Sequence, residues 1–301
     1  ALTATATTGD ITDSGTLTIT GASIFTTRVG GSNIVLDSSA NAFAAAVTMK
    51  ADTGGDETFG NITFVDSAAV KLHSSAGTNG DLFIDAGTDL AVGGNLSITA
   101  TTGNITQGSE VAVGGTTTLV TSANDATITL NDADNAFTGA LTITTNDNSG
   151  TDAAVIIDGG TTALVIAAST IDGNLTLTSG ATAGITDSGT VTVGGDLAAT
   201  TDAGNGVIDM DTLAVDGSIA LVTDGNGAAT VVNDAAIEFA ASTVGGALSA
   251  TATTGNITQS GALDIEGTTT LVTTAQGATI VLGTGTNAFT GAVTITTNDN
   301  D

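Results

Sequence analysis

Several stretches of this chain alternate aliphatic and hydroxyl residues with period two, among them GTLTIT at 15–20 and NLTLT at 174–178. That spacing puts the aliphatics on one face of an extended strand and the threonines on the other, so it predicts strands with one buried face. Gly, Asn and Asp fall between these stretches and predict turns. No apolar stripe recurs at the helical period, and Thr and Gly are weak helix formers. The pattern predicts an all-β chain.

A longer period overlies the short one. An aliphatic residue, one variable residue and then usually Gly recur along the sequence: VGG at 92–94, 113–115, 193–195 and 244–246, IDG at 171–173, VDG at 215–217, IEG at 265–267 and ITG at 19–21. Weaker equivalents begin at Val47, Val70, Leu141 and Val293. Successive starts lie 21 to 30 residues apart. This is the signature of a solenoid in which each period is one coil and the turns absorb the length differences. The coils that start at Ile19, Val113, Val215 and Ile265 share further positions. Six residues on come Phe25, Leu119, Leu221 and Leu271, and seventeen on Leu36, Leu130, Val232 and Leu282. Twenty-four on come Phe43, Phe137, Phe239 and Phe289. A common register at three offsets is what stacking in one interior demands, whereas a two-sheet sandwich would not need it. The expected fold is a single right-handed parallel β-helix over 1–301, with about 12 coils of 21–30 residues.

Whole segments are also repeated. DNAFTGALTITTNDN at 134–148 returns as TNAFTGAVTITTNDN at 286–300, and the pair of coils at 101–148 returns at 253–300. ALTATATTGDIT at 1–12 matches ALSATATTGNIT at 247–258, so both ends are expected to fall in mid-coil. Such ends fit either a piece of a longer repeat array or end-to-end docking of copies.

The wording of the coils resembles filamentous-haemagglutinin-type repeats. VGGNLSITATTGNIT (92–106), IDGNLTLTSGATAGIT (171–186) and VGGALSATATTGNIT (244–258) carry the resemblance, which extends over nearly the whole chain. It implies a right-handed parallel β-helix from a large bacterial secreted adhesin or exoprotein. It also implies an extracellular or cell-surface location and a role in adhesion or biofilm matrix.

Charge narrows the partners. The 31 acidic residues face three basic ones, Arg28, Lys50 and Lys71, for a net charge of −28. Only Glu57, Glu110, Glu238 and Glu266 are glutamates, and the rest are turn-favouring aspartates. Nucleic acid is excluded for want of a cationic footprint, and no run is apolar enough to insert in a membrane. The expected partners are other copies of the chain, end to end, together with surface or matrix polysaccharide.

The chemistry expected is sparse. His73 is the only histidine and there is no cysteine, so zinc and nucleophilic-triad chemistry lack their residues. Polysaccharide-cleaving β-helices need carboxylates beside a basic residue, and sugar platforms need Trp or Tyr, so no enzymatic role is expected. Calcium is the better chemical match, because hard cations take six to eight oxygens. The acidic turns ADTGGDE (51–57), NDADN (131–135), NDNSGTD (146–152), TDAGNGVIDMD (201–211) and NDND (298–301) offer Asp52, Asp56, Glu57, Asp132, Asp134, Asp147, Asp152, Asp202, Asp209, Asp211, Asp299 and Asp301. Outward threonine pairs such as Thr16/Thr18 and Thr142/Thr144 resemble those of flat ice-binding faces, but they share an offset in only some coils and read as ordinary strand residues. Five Asn-x-Ser/Thr sites, at Asn61, Asn95, Asn104, Asn174 and Asn256, follow from the repeat wording. The function expected is an extracellular structural protein: a subunit or repeat segment of a self-assembling filament, sheath or matrix fibre. The alternatives are the stalk of a giant adhesin and, behind it, a carbohydrate-active β-helix enzyme.

Overall fold

The computed structural model describes residues 1–51, 60–73, 81–84, 91–146 and 153–298. Among them the chain is strand, turn and bend, and no helix is long and apolar enough to cross a membrane. Its contacts divide into two compact units, Ala1–Asp158 and Gly159–Asp301. Each is built of parallel strands stacked coil on coil, the solenoid that the period predicts.

In the first unit one sheet stacks Ile11–Thr12, Ile34–Leu36, Ile62–Asp66, Leu96–Ala100, Thr117–Thr121 and Leu141–Thr144 in chain order. A second sheet carries Leu2–Ala6, Ser23–Thr27 and Val47–Lys50, then Val70–His73, Ile105–Gln107, Ile128–Leu130 and Val155–Asp158, with Asp81–Ile84 between the two sets. Short ladders such as Ala112–Val113 on Ala136–Phe137 close the coils. In the second unit Ile185–Asp187, Ile208–Val215, Ala229–Asn233, Leu248–Ala252, Thr269–Gln276 and Val293–Asn298 form one sheet. Leu175–Ser179, Leu197–Thr201 and Ser218–Val222 begin the other.

Period-two alternation becomes an alternation of burial. Leu96–Ala100, Thr117–Thr121, Leu175–Ser179, Leu197–Thr201 and Leu248–Ala252 all bury every second residue. Inward side chains then stack in register: Ile98 on Leu119 on Ile143, and Val231 on Ala250 on Leu271. Each buried aliphatic contributes about 1.5–3 kcal/mol, and each needs the coil above or below to be buried at all.

The shared offsets are confirmed in part. Phe25, Leu119, Leu221 and Leu271 are all buried. Phe43 stacks on Ile19, Phe137 on Val113 and Phe289 on Ile265, so an offset of twenty-four is one coil's rise. The coil that starts at Val215 departs from this. Phe239 is buried but stacks on Ile219, and Val232 points outward between buried Val231 and Asn233. The cause is a change of phase. Ser218–Val222 follows its coil-start phrase in one sheet, whereas Leu248–Ala252, after the next such phrase, lies in the other. Between them Ala229–Asn233 stacks on Ile208–Val215 and beneath Leu248–Ala252 without a coil-start phrase of its own. The first unit makes the same change at Ile62–Asp66, which stacks between Ile34–Leu36 and Leu96–Ala100. The segments responsible are alike, GNITFVDSAAV at 60–70 and GAATVVNDAAI at 227–237.

Candidate functional site

The recurring polar residues converge on the joints between coils. In the first unit a ladder of side-chain amides climbs the stack. The Asn33 backbone N–H donates to Asp10 Oδ1 (2.7 Å), Asn61 N–H to Asn33 Oδ1 (2.8 Å), Asn95 N–H to Asn61 Oδ1 (2.8 Å) and Thr116 N–H to Asn95 Oδ1 (2.8 Å). In the second unit Asp196 N–H donates to Asn174 Oδ1, and Ser218 donates to Asp196 Oδ1 through both N–H and Oγ. Asn104 and Asn256 accept from Thr127 and Thr279 in the same way. The ladder explains the glycine pair of the coil-start phrase. A Cβ on Gly115 would lie 2.2 Å from Asn95 Oδ1, and one on Gly195 would lie 2.1 Å from Asn174 Oδ1. The second glycine leaves room for the amide below. All five Asn-x-Ser/Thr asparagines use their side-chain oxygen in this way.

A second device also sits between coils, buried at Asn41 and Asn135 and half-buried at Asn287. The tripeptide Asn-Ala-Phe occurs at 41, 135 and 287. Each asparagine oxygen accepts a backbone N–H one coil below: Leu17 (2.8 Å), Val111 (2.8 Å) and Leu263 (3.0 Å). The amide nitrogen reaches Asp13 Oδ2 from Asn41, Gln107 Oε1 from Asn135 and Gln259 Oε1 from Asn287. Gln107 and Gln259 donate back from Nε2, so each glutamine–asparagine pair is reciprocal. A reciprocally bonded, partly buried amide pair between coils fixes register, because any slip leaves it unsatisfied. Sequence reasoning missed this clasp, although the repeated tripeptide and the Asp or Gln 28 residues before its asparagine were both in plain view.

Where the phase changes, the two units bury different side chains at matching positions. Asn233 is fully buried; its oxygen accepts from Val215 N–H and its nitrogen donates to Val215 O and Ala236 O. Asp66 occupies the equivalent place, 1% exposed, with Phe43 N–H donating to Oδ1 at 3.3 Å. Burial pushes the Asp66 carboxyl above its ordinary value, and backbone N–H groups of Phe43, Ala68 and Ser67 offset part of that rise. Three inward hydroxyls, Thr117 Oγ1, Thr269 Oγ1 and Thr273 Oγ1, are buried without a partner.

Of the expected calcium ligands, Asp132, Asp134, Asp202, Asp209 and Asp211 lie among the described residues. Asp52, Asp56, Glu57, Asp147, Asp152, Asp299 and Asp301 lie outside the described residues. Asp132 closes a turn, accepting Asp134 N–H at 3.0 Å, and Asp134 is exposed. Asp202 is exposed in a turn, while Asp209 and Asp211 point outward from one strand, where Asp211 N–H donates to Asp187 Oδ1. An open cleft of about 370 Å³ in the second unit carries Asp196, Asp216 and Glu238 on its walls. Among the described residues no group of three or more His, Cys, Asp or Glu could hold a metal ion. His73 ends the strand Val70–His73.

Parallel strands, stacked aliphatic columns and amide ladders define a β-solenoid repeat protein. The chain belongs to the family described as repeats of unknown function (DUF5649), whose model matches residues 1–50, 59–144, 152–226 and 225–296. Two of those matches begin, at 59 and 225, within two residues of Gly60 and Gly227, where the phase changes. Neither the curated proteins nor the solved structures include a match to this chain.

Proposed function

We propose that the chain is a structural repeat segment of an extracellular fibre, a subunit of a self-assembling surface filament, sheath or biofilm matrix. The observation that carries this reading is where the repeated polar residues go. Asn61, Asn95, Asn135, Asn174 and Asn287 are committed to holding one coil on the next. Such a joint is open-ended, since a coil that donates its N–H to the amide below also offers its own amide oxygen to the coil above. The ladder that joins coil to coil can equally join copy to copy. The extracellular setting rests on the resemblance to haemagglutinin-type repeats, and bound cations, calcium included, would serve to screen a chain of net charge −28.

Negative-stain electron microscopy of concentrated protein, with and without calcium, tests this. Filaments whose length grows with concentration are expected; discrete particles under every condition would remove the reading. The four family matches in tandem favour a second one, a stalk segment within a longer adhesin. The intact mass of the natural polypeptide separates the two, because the stalk requires a mass far above 28.8 kDa.

A further inference from the structure

The change of phase has a consequence for the outer surface. In the second unit it brings outward pairs from four successive coils onto one sheet. Thr230, Ser249, Thr270 and Thr294 stack in one column, and Val232, Thr251, Val272 and Thr296 stack in the next. From the coil starts alone these pairs have no common offset, which is why the sequence does not show them as a face. Of the eight, none is charged, in a chain with 31 acids; exposed Asp209, paired to Thr230, and Asp211 border the face at one end, and exposed Asp234 borders it at the flank. The six hydroxyls make no hydrogen bond within the described chain. The flanking column differs, with Thr253 bonded to Asp234 O and Thr274 to Thr253 O. The first unit carries a comparable array by itself, in which Thr63, Ser97, Thr118 and Thr142 stack beside Thr99, Val120 and Thr144.

We propose that this uncharged threonine–valine face is a lateral contact surface for a second copy of the chain. Two arguments select that occupant. A β-sheet face repeats at roughly 4.8 Å across its strands, and an identical face matches that repeat at every coil, as in the dry interfaces of paired sheets. Two chains of net charge −28 repel one another, so they approach most easily where neither presents a carboxylate. Methyl groups of Val and Thr interdigitate, and the free hydroxyls bond across the interface. Four strands with two residues each offer on the order of 200–300 Å² by strand geometry. A stable pair needs about 800 Å² per partner. Single copies therefore attract weakly, and the contact becomes effective when copies are arrayed along a fibre. Only that multiplication rests on the fibre reading.

The test is the second osmotic virial coefficient, measured by static light scattering on the whole chain as NaCl is raised to about 0.5 M, where the Debye length drops below roughly 5 Å. The wild type is expected to pass from positive to negative values once charge is screened. T251E with T270E should stay positive, while a control with the same added charge elsewhere on the unit, A183E with S260E, should follow the wild type. Circular dichroism checks the fold of each. If the first pair loses its fold, T294E with T296E on the exposed outermost strand replaces it. A wild type that stays positive at all salt, or a control that behaves like the face variant, overturns the proposal whatever else the face binds. Filament length by microscopy reports on the fibre reading separately, so either can fail alone.

Discussion

Asp66 and Asn233 show what one atom decides inside this fold. Asn233 offers an acceptor and two donors and meets three backbone groups. Asp66 sits in the matching place with acceptors only when ionised, and burial raises its carboxyl above the ordinary value. The folded state therefore binds that proton more tightly than the unfolded chain. Its stabilising contribution is full below the unfolded value and is lost as pH rises through the raised folded one. D66N should remove this dependence and add about 1 kcal/mol at neutral pH, the net worth of a buried hydrogen bond. Urea denaturation from acid to neutral pH checks it; an unchanged pH slope would count against the assignment. Thr117 makes the same point without charge. Its inward hydroxyl has no partner, and its register neighbours are Leu96 and Leu141. T117V keeps the shape and is expected to raise stability by roughly 1–2 kcal/mol, since it removes a desolvated hydroxyl.

At the scale of the element, the coil is a strand, a turn and a joint, and the joint sets the sequence. Gly195 is required by the amide beneath it rather than by its own backbone angles. G195A should cost about 2–3 kcal/mol by forcing apart two coils and breaking the Asn174–Asp196 bond. N174A alone loses about 1 kcal/mol. The double variant should recover part but not all of the G195A loss, because the added Cβ also meets backbone at 2.9 Å. Fully additive losses in thermal melts would mean the amide is not what the glycine accommodates. At this scale the sequence was most legible. Alternation revealed the strands and their inward faces, and the shared offsets of Phe43, Phe137 and Phe289 revealed a common interior, while the structure showed that this offset is one coil's rise. The amide clasp was hidden because Asn and Gln in a turn-rich sequence look like ordinary turn residues; only their reciprocal pairing between coils marks them.

At the scale of the whole molecule, charge has the longest reach. With −28 on 301 residues the folded chain repels itself, and the unfolded chain, being more expanded, repels itself less. Added salt should therefore raise the melting temperature, steeply below about 0.15 M and less above it as screening saturates. Calcium matched in ionic strength to NaCl separates screening from a dedicated site: a larger shift with calcium would point to coordinated ions, equal shifts to screening alone.

The amino-acid sequence by itself determined that the chain is all-β, parallel, coiled and repetitive, because period-two burial and a regular rise per coil are local constraints that each coil must satisfy separately. It also determined the acidity. Which face each coil's strand occupies was decided only in the tertiary structure. Segments 60–70 and 227–237 satisfy the strand pattern equally well on either sheet, and the choice between them is made by stacking on Ile34–Leu36 and Ile208–Val215. That choice moved Val232 to the surface, placed Phe239 over Ile219 and gathered scattered threonines into columns. Register along the solenoid axis is a cooperative property of neighbouring coils, and no single stretch of sequence contains it.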